Sequence, residues 1–122
     1  MVKIRMSGYT LLEPGHYVLE VCSVETVDDY GPQLKLELRV AEGKNEGHHF
    51  FDYPTRAEDG SIKVGTKAWQ IFEACLNRRL TPNDELDMDD LIGKRFEARV
   101  VIKKGGKGNR TEFDTISAAR RG

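Results

Sequence analysis

Residues 33–40 alternate strictly between polar and apolar side chains, and this pattern constrains the fold more than any other in the chain. A period of two residues places every second side chain on the same side of a β-strand. The segment therefore predicts a strand in a sheet with one buried face and one solvated face. The apolar set is Leu34, Leu36, Leu38 and Val40, and the polar set is Gln33, Lys35, Glu37 and Arg39.

Four further segments predict strands. Residues 16–26 are rich in β-branched and aromatic side chains, with apolar residues on both faces, as in a central or strongly bent strand. Residues 48–53 predict the third strand, which Pro54 stops. Residues 95–104 and 111–116 predict a final β-hairpin.

One α-helix is expected between the third and fourth strands. Thr66 is the expected N-cap, because its hydroxyl can accept a hydrogen bond from a backbone N–H that has no partner within the helix. The helix is expected to cover 67–79 and to bury Trp69, Phe72 and Leu76, which fall on one face at helical spacing.

The order of three strands, a helix and two strands is that of the OB-fold barrel. Three antiparallel strands leave exposed edges, and an interposed helix can cover the end of a closing sheet. We therefore predict a mainly β fold, a five-stranded OB-fold-like antiparallel barrel with a helix between strands 3 and 4. This single domain spans 14–118, after an N-terminal arm or edge strand (1–13) and before a basic tail (119–122).

The final hairpin concentrates positive charge. Residues 94–110 carry seven Lys or Arg and one acid, a local charge of +6, although the whole chain has a net charge of -1. The glycine-rich tip 105–110 is expected to be long, flexible and able to approach a phosphate backbone. OB folds bind oligonucleotides on strands 2 and 3 and on loops 1–2 and 4–5. The candidate cations for such binding are Lys35, Arg39, Arg99, Lys103, Lys104, Lys107 and Arg110.

The aromatic cluster 48–53 offers a surface on which bases can stack. Neighbouring residues of a strand point to opposite faces, so at most half of these rings can be exposed. Either Phe50 faces the core while Phe51 and Tyr53 face solvent, or the reverse holds; we adopt the first arrangement. Tyr30, in the first loop, is a further candidate for stacking and equally a candidate cover for the end of the barrel.

Other chemistries find little support in the residues. His48 and His49 would point to opposite faces of a strand, which makes a poor metal site. Cys22 and Cys75 lack the spacing of metal ligands and are read as free thiols in a reducing cytoplasm. There is no nucleophile motif, no phosphate-binding loop and no apolar run long enough to span a bilayer. We expect no catalysis, no cofactor, no metal and no membrane partner.

Short motifs follow one another through residues 14–118. They are Pro14-Gly-His-Tyr-Val-Leu-Glu-Val21, Leu34-Lys-Leu-Glu-Leu-Arg-Val40 with Glu42-Gly43, Gly47-His-His-Phe-Phe-Asp52, Ala68-Trp-Gln-Ile-Phe-Glu-Ala74, Asp90-Leu-Ile-Gly-Lys-Arg95 and Gly108-Asn-Arg-Thr-Glu-Phe113. In order and rhythm the chain resembles an uncharacterised family of small phage and prophage proteins that are considered single-stranded-DNA-binding-like. The resemblance implies an OB-like fold, binding of single-stranded DNA and no catalytic residues. Bacterial single-stranded-DNA-binding proteins typically end in an acidic tail, whereas this chain ends in the basic Ala119-Arg-Arg-Gly122.

We therefore predict a cytoplasmic, non-catalytic protein that binds single-stranded DNA largely without sequence preference, in phage replication or recombination. Tight binding by so small a domain would require cooperativity or a homo-oligomer. The alternative is a protein-interaction module that recruits a recombinase or a helicase, which the acidic segment Asp84–Asp90 and the near-neutral net charge favour. The DNA-binding prediction requires the cations to form one continuous track, separated from the acidic residues.

Overall fold

Five antiparallel strands form a single sheet in the order β3-β2-β1-β4-β5. This computed structural model describes residues 12–28, 31–105 and 108–119. The elements, in chain order, are β1 (Gly15–Val27), β2 (Gln33–Val40), β3 (His49–Asp52), α1 (Lys67–Leu76), a 3₁₀-helical turn (Met88–Leu91), β4 (Arg95–Gly105) and β5 (Gly108–Ala118). The predicted mainly β class, the five strands and the position of the helix are confirmed.

The first strand, β1, lies at the centre of the sheet and contains a β-bulge. It pairs with β2 along one edge and with β4 along the other. Its register with β2 shifts between Val21 and Ser23, which leaves Cys22 as an extra residue. The shift brings Val24 to the same face as Val21, where it packs against the core. The bulge therefore explains why Val24 reaches the core although its parity in the sequence is opposite to that of Leu19 and Val21.

The inner face of the sheet and helix α1 enclose one hydrophobic core. Strand β2 alternates as predicted, with Leu34, Leu36, Leu38 and Val40 all buried. Helix α1 packs against β4 and β5 and so covers the second half of the sheet. No helix within the described residues has the length and apolar character needed to cross a lipid bilayer.

Helix α1 begins where the sequence predicts but ends earlier. The Oγ1 atom of Thr66 accepts a hydrogen bond from the backbone N of Trp69 at 3.3 Å, so Thr66 is the N-cap. Asn77 adopts the left-handed conformation (φ 51°, ψ 44°), which ends the helix at Leu76 rather than at residue 79. The predicted apolar stripe is wrong at Trp69, which is only half-buried. The buried residues of the helix are Ala68, Ile71, Phe72, Ala74 and Cys75.

The ladder of the β4–β5 hairpin extends closer to the tip than predicted, with a β-bulge between Glu97 and Arg99. Its pairing continues to Gly105 and Gly108, so only residues 106–107 connect the two strands. The predicted tip over 105–110 is therefore too long, because the backbone satisfies its hydrogen bonds by extending the ladder to Gly105 and Gly108. The predicted flexibility of the tip concerns 106–107, which lie outside the described residues. Pairing of β4 with β1 ends at Val100, so beyond that residue the hairpin continues as a two-stranded ribbon.

The sheet is not closed into a barrel, and this corrects the predicted architecture. Strands β3 and β5 are its two edges, and no ladder of backbone hydrogen bonds joins them within the described residues. Strand β3 has only four residues, and the nearby Pro54 has no N–H to extend a ladder. Side chains bridge this seam between β3 and β5 instead. The rings of Phe50 and Phe113 meet edge to face, with their centroids 6.3 Å apart.

An ion pair with an aromatic contact also lies at the seam. The Nζ atom of Lys67, in the first turn of α1, lies 3.2 Å from Oδ1 of Asp52 and 3.8 Å from the centroid of the Phe113 ring. The other carboxylate oxygen of Asp52, Oδ2, is buried and has no hydrogen-bond partner among the described residues. Burial raises the pKa of Asp52, and the charge and hydrogen bond of Lys67 oppose that shift. One ammonium group thus links β3, α1 and β5.

We expect the Lys67→Met variant to lose about 1–3 kcal/mol of unfolding free energy, because the Asp52 carboxylate stays buried without its counter-charge. Urea unfolding at neutral pH measures this loss. The pKa of folded Asp52 lies above its ordinary value of 3.8, so the folded state binds more protons just above that pH. The contribution of Asp52 to stability therefore falls as the pH rises through this window. In the Lys67→Met variant, the unfolding free energy should fall more steeply with rising pH than in the native protein.

The matched control is Lys63→Met, which removes another lysine that has a carboxylate partner. Lys63 pairs with Asp59 at 3.5 Å, and both side chains are largely exposed. This variant should change stability little at any pH. Equal losses for the two variants at neutral pH would contradict a special role for Lys67.

Candidate nucleic-acid interface

The outer face of β2 and β3 carries two exposed aromatic rings. Phe51 is 50% exposed and Tyr53 is 48% exposed, whereas Phe50, which directly precedes Phe51, is 8% exposed. Phe50 faces inward because its ring packs against Phe113 at the seam. The orientation adopted from the sequence, with Phe51 and Tyr53 facing solvent, is confirmed.

A lysine lies beside the two rings. The Nζ atom of Lys35 is 4.9 Å from the centroid of the Phe51 ring, within the range of a cation–π contact. The backbone N of Leu34 donates to the carbonyl of Pro54 at 2.9 Å, which extends the β2–β3 alignment and places Lys35 beside Tyr53. We call Lys35, Phe51 and Tyr53 the stacking face.

Arg39 lies in a cross-strand row of charges. Its Nη2 atom is 3.0 Å from Oε2 of Glu20 in β1, and Nε of Arg95 in β4 is 3.1 Å from Oε1 of the same carboxylate. Burial tends to raise the pKa of Glu20, but the hydrogen bonds from both arginines outweigh it and lower the pKa below its usual value. Glu20 is thus ionised at neutral pH, and the row of two arginines and one glutamate carries a net charge of +1. We call these three residues the arginine row.

Two other predicted cations also have acidic partners. Arg99 makes two hydrogen bonds of 2.8 Å each to the carboxylate of Asp114, and this pairing lowers the pKa of Asp114 to about 2. Lys103 lies 3.3 Å from Glu112 across the ribbon. The predicted continuous track of unpaired cations is therefore wrong for the described residues. The register of the sheet places acids of neighbouring strands directly beside them.

Four predicted site residues lie outside what the structure describes. Tyr30 and Lys107 fall in the gaps of the described chain. Lys104 and Arg110 belong to strands β4 and β5, but their side chains lie outside the described part of the structure. Their roles in binding stay predictions.

Sequence reasoning did not single out Arg95 and Glu20 as site residues. Arg95 belongs to the basic run of residues 94–110, and Glu20 lies on the polar side of a strand whose parity changes at the bulge. Only the strand order β2-β1-β4 shows that Glu20 lies beside Arg39 and that Arg95 lies on the other side of Glu20. The alternation of side chains places Arg39 and Arg95 on the solvent sides of their strands. It does not reveal which strands are adjacent in the sheet.

The described residues offer no cluster of metal-binding side chains. Within 12–28, 31–105 and 108–119, no three His, Cys, Asp or Glu side chains are grouped so that they could hold a metal ion. Burial raises the pKa of the Cys75 thiol to about 12, so Cys75 is protonated at neutral pH.

Comparison with known proteins leaves the site to be interpreted from its own geometry. No family model matches this chain, and no curated protein is significantly similar to it. The resemblance to small phage proteins thus stays a prediction.

We expect the Arg99–Asp114 pair to make stability depend on pH in the acid range. The folded-state pKa of Asp114 is about 2 and its ordinary value is 3.8, so the pair stabilises the fold above 3.8 and loses this effect as the pH falls through about 2. The difference in Tm between the native protein and Arg99→Gln should be largest above 3.8 and should close below about 2. Thermal unfolding across this pH range measures it.

Arg78→Gln is the control for this experiment. Arg78 pairs with Asp84 at 3.5 Å, but the pKa of Asp84 is lowered chiefly by the backbone N–H of Thr81. Losing Arg78 should therefore leave the pH dependence nearly unchanged. A Tm difference for Arg99→Gln that does not vary with pH would contradict the assignment.

Proposed function

We propose that the protein binds single-stranded DNA without catalysing a reaction on it, through the stacking face of β2 and β3. One observation carries the proposal: the exposed rings of Phe51 and Tyr53 lie together, with the ammonium of Lys35 4.9 Å from the Phe51 ring centroid. Exposed aromatic rings stack on bases of any sequence, and an adjacent cation binds the phosphate backbone.

The paired cations remove the separate positive track that DNA binding required when it was inferred from the sequence, so the proposal replaces that mechanism with one in which base stacking supplies most of the affinity. Arg39, Arg99 and Lys103 each contact a carboxylate, so a phosphate has to compete with that partner. Among the predicted cations whose side chains are described, Lys35 alone has no ion pair with a described acid. Binding should therefore be only weakly salt-dependent, and multiple copies on one strand would raise the avidity.

A role in phage DNA replication or recombination is part of this proposal. It rests on the resemblance of the motifs in residues 14–118 to small single-stranded-DNA-binding-like phage proteins. A homo-oligomer on the DNA fits a domain that offers only a few contacts to each strand.

The second candidate is a protein-interaction module that recruits a recombinase or a helicase. The paired charges favour it, because a surface of neighbouring opposite charges attracts a polyanion weakly. Phe51 and Tyr53 would then be buried in a protein interface, where aromatic residues are enriched. A protein partner that stays bound after nuclease treatment, together with no DNA binding, would support this candidate over the first.

We expect Phe51→Ala and Tyr53→Ala each to weaken binding of a labelled oligo-dT by roughly 5- to 150-fold, which corresponds to about 1–3 kcal/mol for each stacked base. Fluorescence anisotropy at low salt measures the affinity. The control is Val64→Ala, since Val64 is a 63% exposed apolar residue outside the stacking face. No binding of oligo-dT to the native protein at low salt would refute the proposal.

The salt dependence of the same titration tests how many phosphates are held. With one or two phosphate contacts, the slope of log K against log salt should be about -0.7 to -1.4. Lys35→Gln should reduce its magnitude by about 0.7. A slope several times steeper would show that the ion pairs of Arg39, Arg99 and Lys103 open to bind phosphates.

A further inference from the structure

The arginine row crosses three strands on the outer face of the sheet. Glu20 is opposite Arg39 in the β1–β2 register and opposite Arg95 in the β1–β4 register. His49 of β3 is opposite Arg39, so the row continues to the edge of the sheet. Two guanidinium groups are thus held on either side of one carboxylate.

Glu20 uses only one N–H donor atom of each arginine in the row. A guanidinium carries several N–H donors and no acceptor. Arg39 uses Nη2 toward Glu20 and Arg95 uses Nε, each for a single hydrogen bond to that carboxylate. The Arg39 side chain also contacts the Cys22 thiol, which leaves part of its guanidinium group available. The side chains of Arg39 and Arg95 both reach solvent, with exposures of 28% and 46%. The remaining donors can therefore bind an oxyanion from outside the protein.

The row also differs from the other arginine pair on this sheet. Arg99 and Asp114 form a one-to-one pair with two hydrogen bonds, so their charges cancel and the carboxylate occupies the guanidinium edge. In the arginine row, two cations share one anion, and each gives that anion a single hydrogen bond. The three residues of the row thus hold one more cation than anion, whereas the Arg99 pair holds one of each; Glu46 is a further acid that acts on Arg39.

The row adjoins the stacking face. Arg39 and Lys35 lie on the same face of β2, four residues apart, which is about 13 Å along a strand. Phe51 follows His49 on the outer face of β3 and lies opposite Glu37, between these two cations. If the bases of a nucleic-acid strand stacked on Phe51 and Tyr53, its backbone would be within reach of both Lys35 and Arg39.

We propose that Arg39 and Arg95 form a binding site for one phosphate group, with Glu20 as the positioning residue that holds the two guanidinium groups apart and aligned. The ligand chemistry is a phosphate oxyanion, whether a free phosphate or a phosphodiester. For the phosphodiester form, the inference rests on the proposed binding of single-stranded DNA. Glu20 sets the geometry of the site and at the same time limits its affinity, because its own charge repels the ligand.

The experiment follows the Nε–Hε signals of Arg39, Arg95 and Arg99 by NMR in the full chain. One titration uses inorganic phosphate and the other uses unlabelled oligo-dT. In the native protein, Arg39 and Arg95 should shift together and saturate with one affinity, while Arg99 stays in place. Glu20→Gln keeps the shape of the side chain and removes its charge, so it should tighten phosphate binding at this row by at least about threefold.

Asp114→Asn is the matched control, because it also removes one negative charge from beside an arginine. It should leave the phosphate affinity measured at Arg39 and Arg95 unchanged. Equal tightening by both variants would show a general effect of net charge and overturn the inference, as would the absence of saturable shifts in the native protein. The native titration decides the matter even if Glu20→Gln fails to fold.

The two titrations separate this inference from the proposed function. Shifts with phosphate, without any binding of oligo-dT, would support the phosphate site and refute single-stranded-DNA binding. Binding of oligo-dT that leaves Arg39 and Arg95 unshifted would support DNA binding through the stacking face and overturn the phosphate site.

Discussion

The contact of Lys67 with Asp52 and Phe113 is the interaction on which the candidate site depends. Strand β3 has only four residues and pairs on one edge, so its backbone alone fixes it weakly. The ammonium of Lys67 compensates the buried carboxylate of Asp52 and also lies on the ring of Phe113. These contacts hold β3 against α1 and β5. They thereby fix the parity that turns Phe50 inward and presents Phe51 to solvent.

The distribution of charge follows from the register of the sheet more than from the composition of any segment. Residues 94–110 are strongly basic in sequence, yet Arg99 and Lys103 lie beside acids that the next strand supplies. Arg95 instead forms an ion pair with Glu20 of β1, which also pairs with Arg39. Among the described side chains of this basic stretch, Arg95, Arg99 and Lys103 each thus lie beside an acid, and only Arg95 shares its acid with a second arginine.

Elements that depend on local patterns could be predicted from the sequence. The alternation of β2, the N-cap at Thr66 and the outward orientation of Phe51 all follow from side-chain periodicity and local hydrogen bonding. The bulge at Cys22 changes the parity of Val24, but local patterns do not predict it, because its cause is a register shift against another strand. Strand adjacency is not a local property, so neither the pairing of Arg99 nor the arginine row could be predicted.

The ribbon beyond Val100 also limits how this hairpin could vary. Its strands are fully paired to Gly105 and Gly108, and a strand turns its side chains to alternate sides. Lengthening both strands by two residues would extend the reach by about 7 Å and keep each charged group on its original side. A single added residue in one strand would invert every side chain beyond it or force a new bulge. Insertions in this ribbon should therefore add two residues to each strand. The ribbon would then become longer while each of its faces keeps the same kinds of side chain.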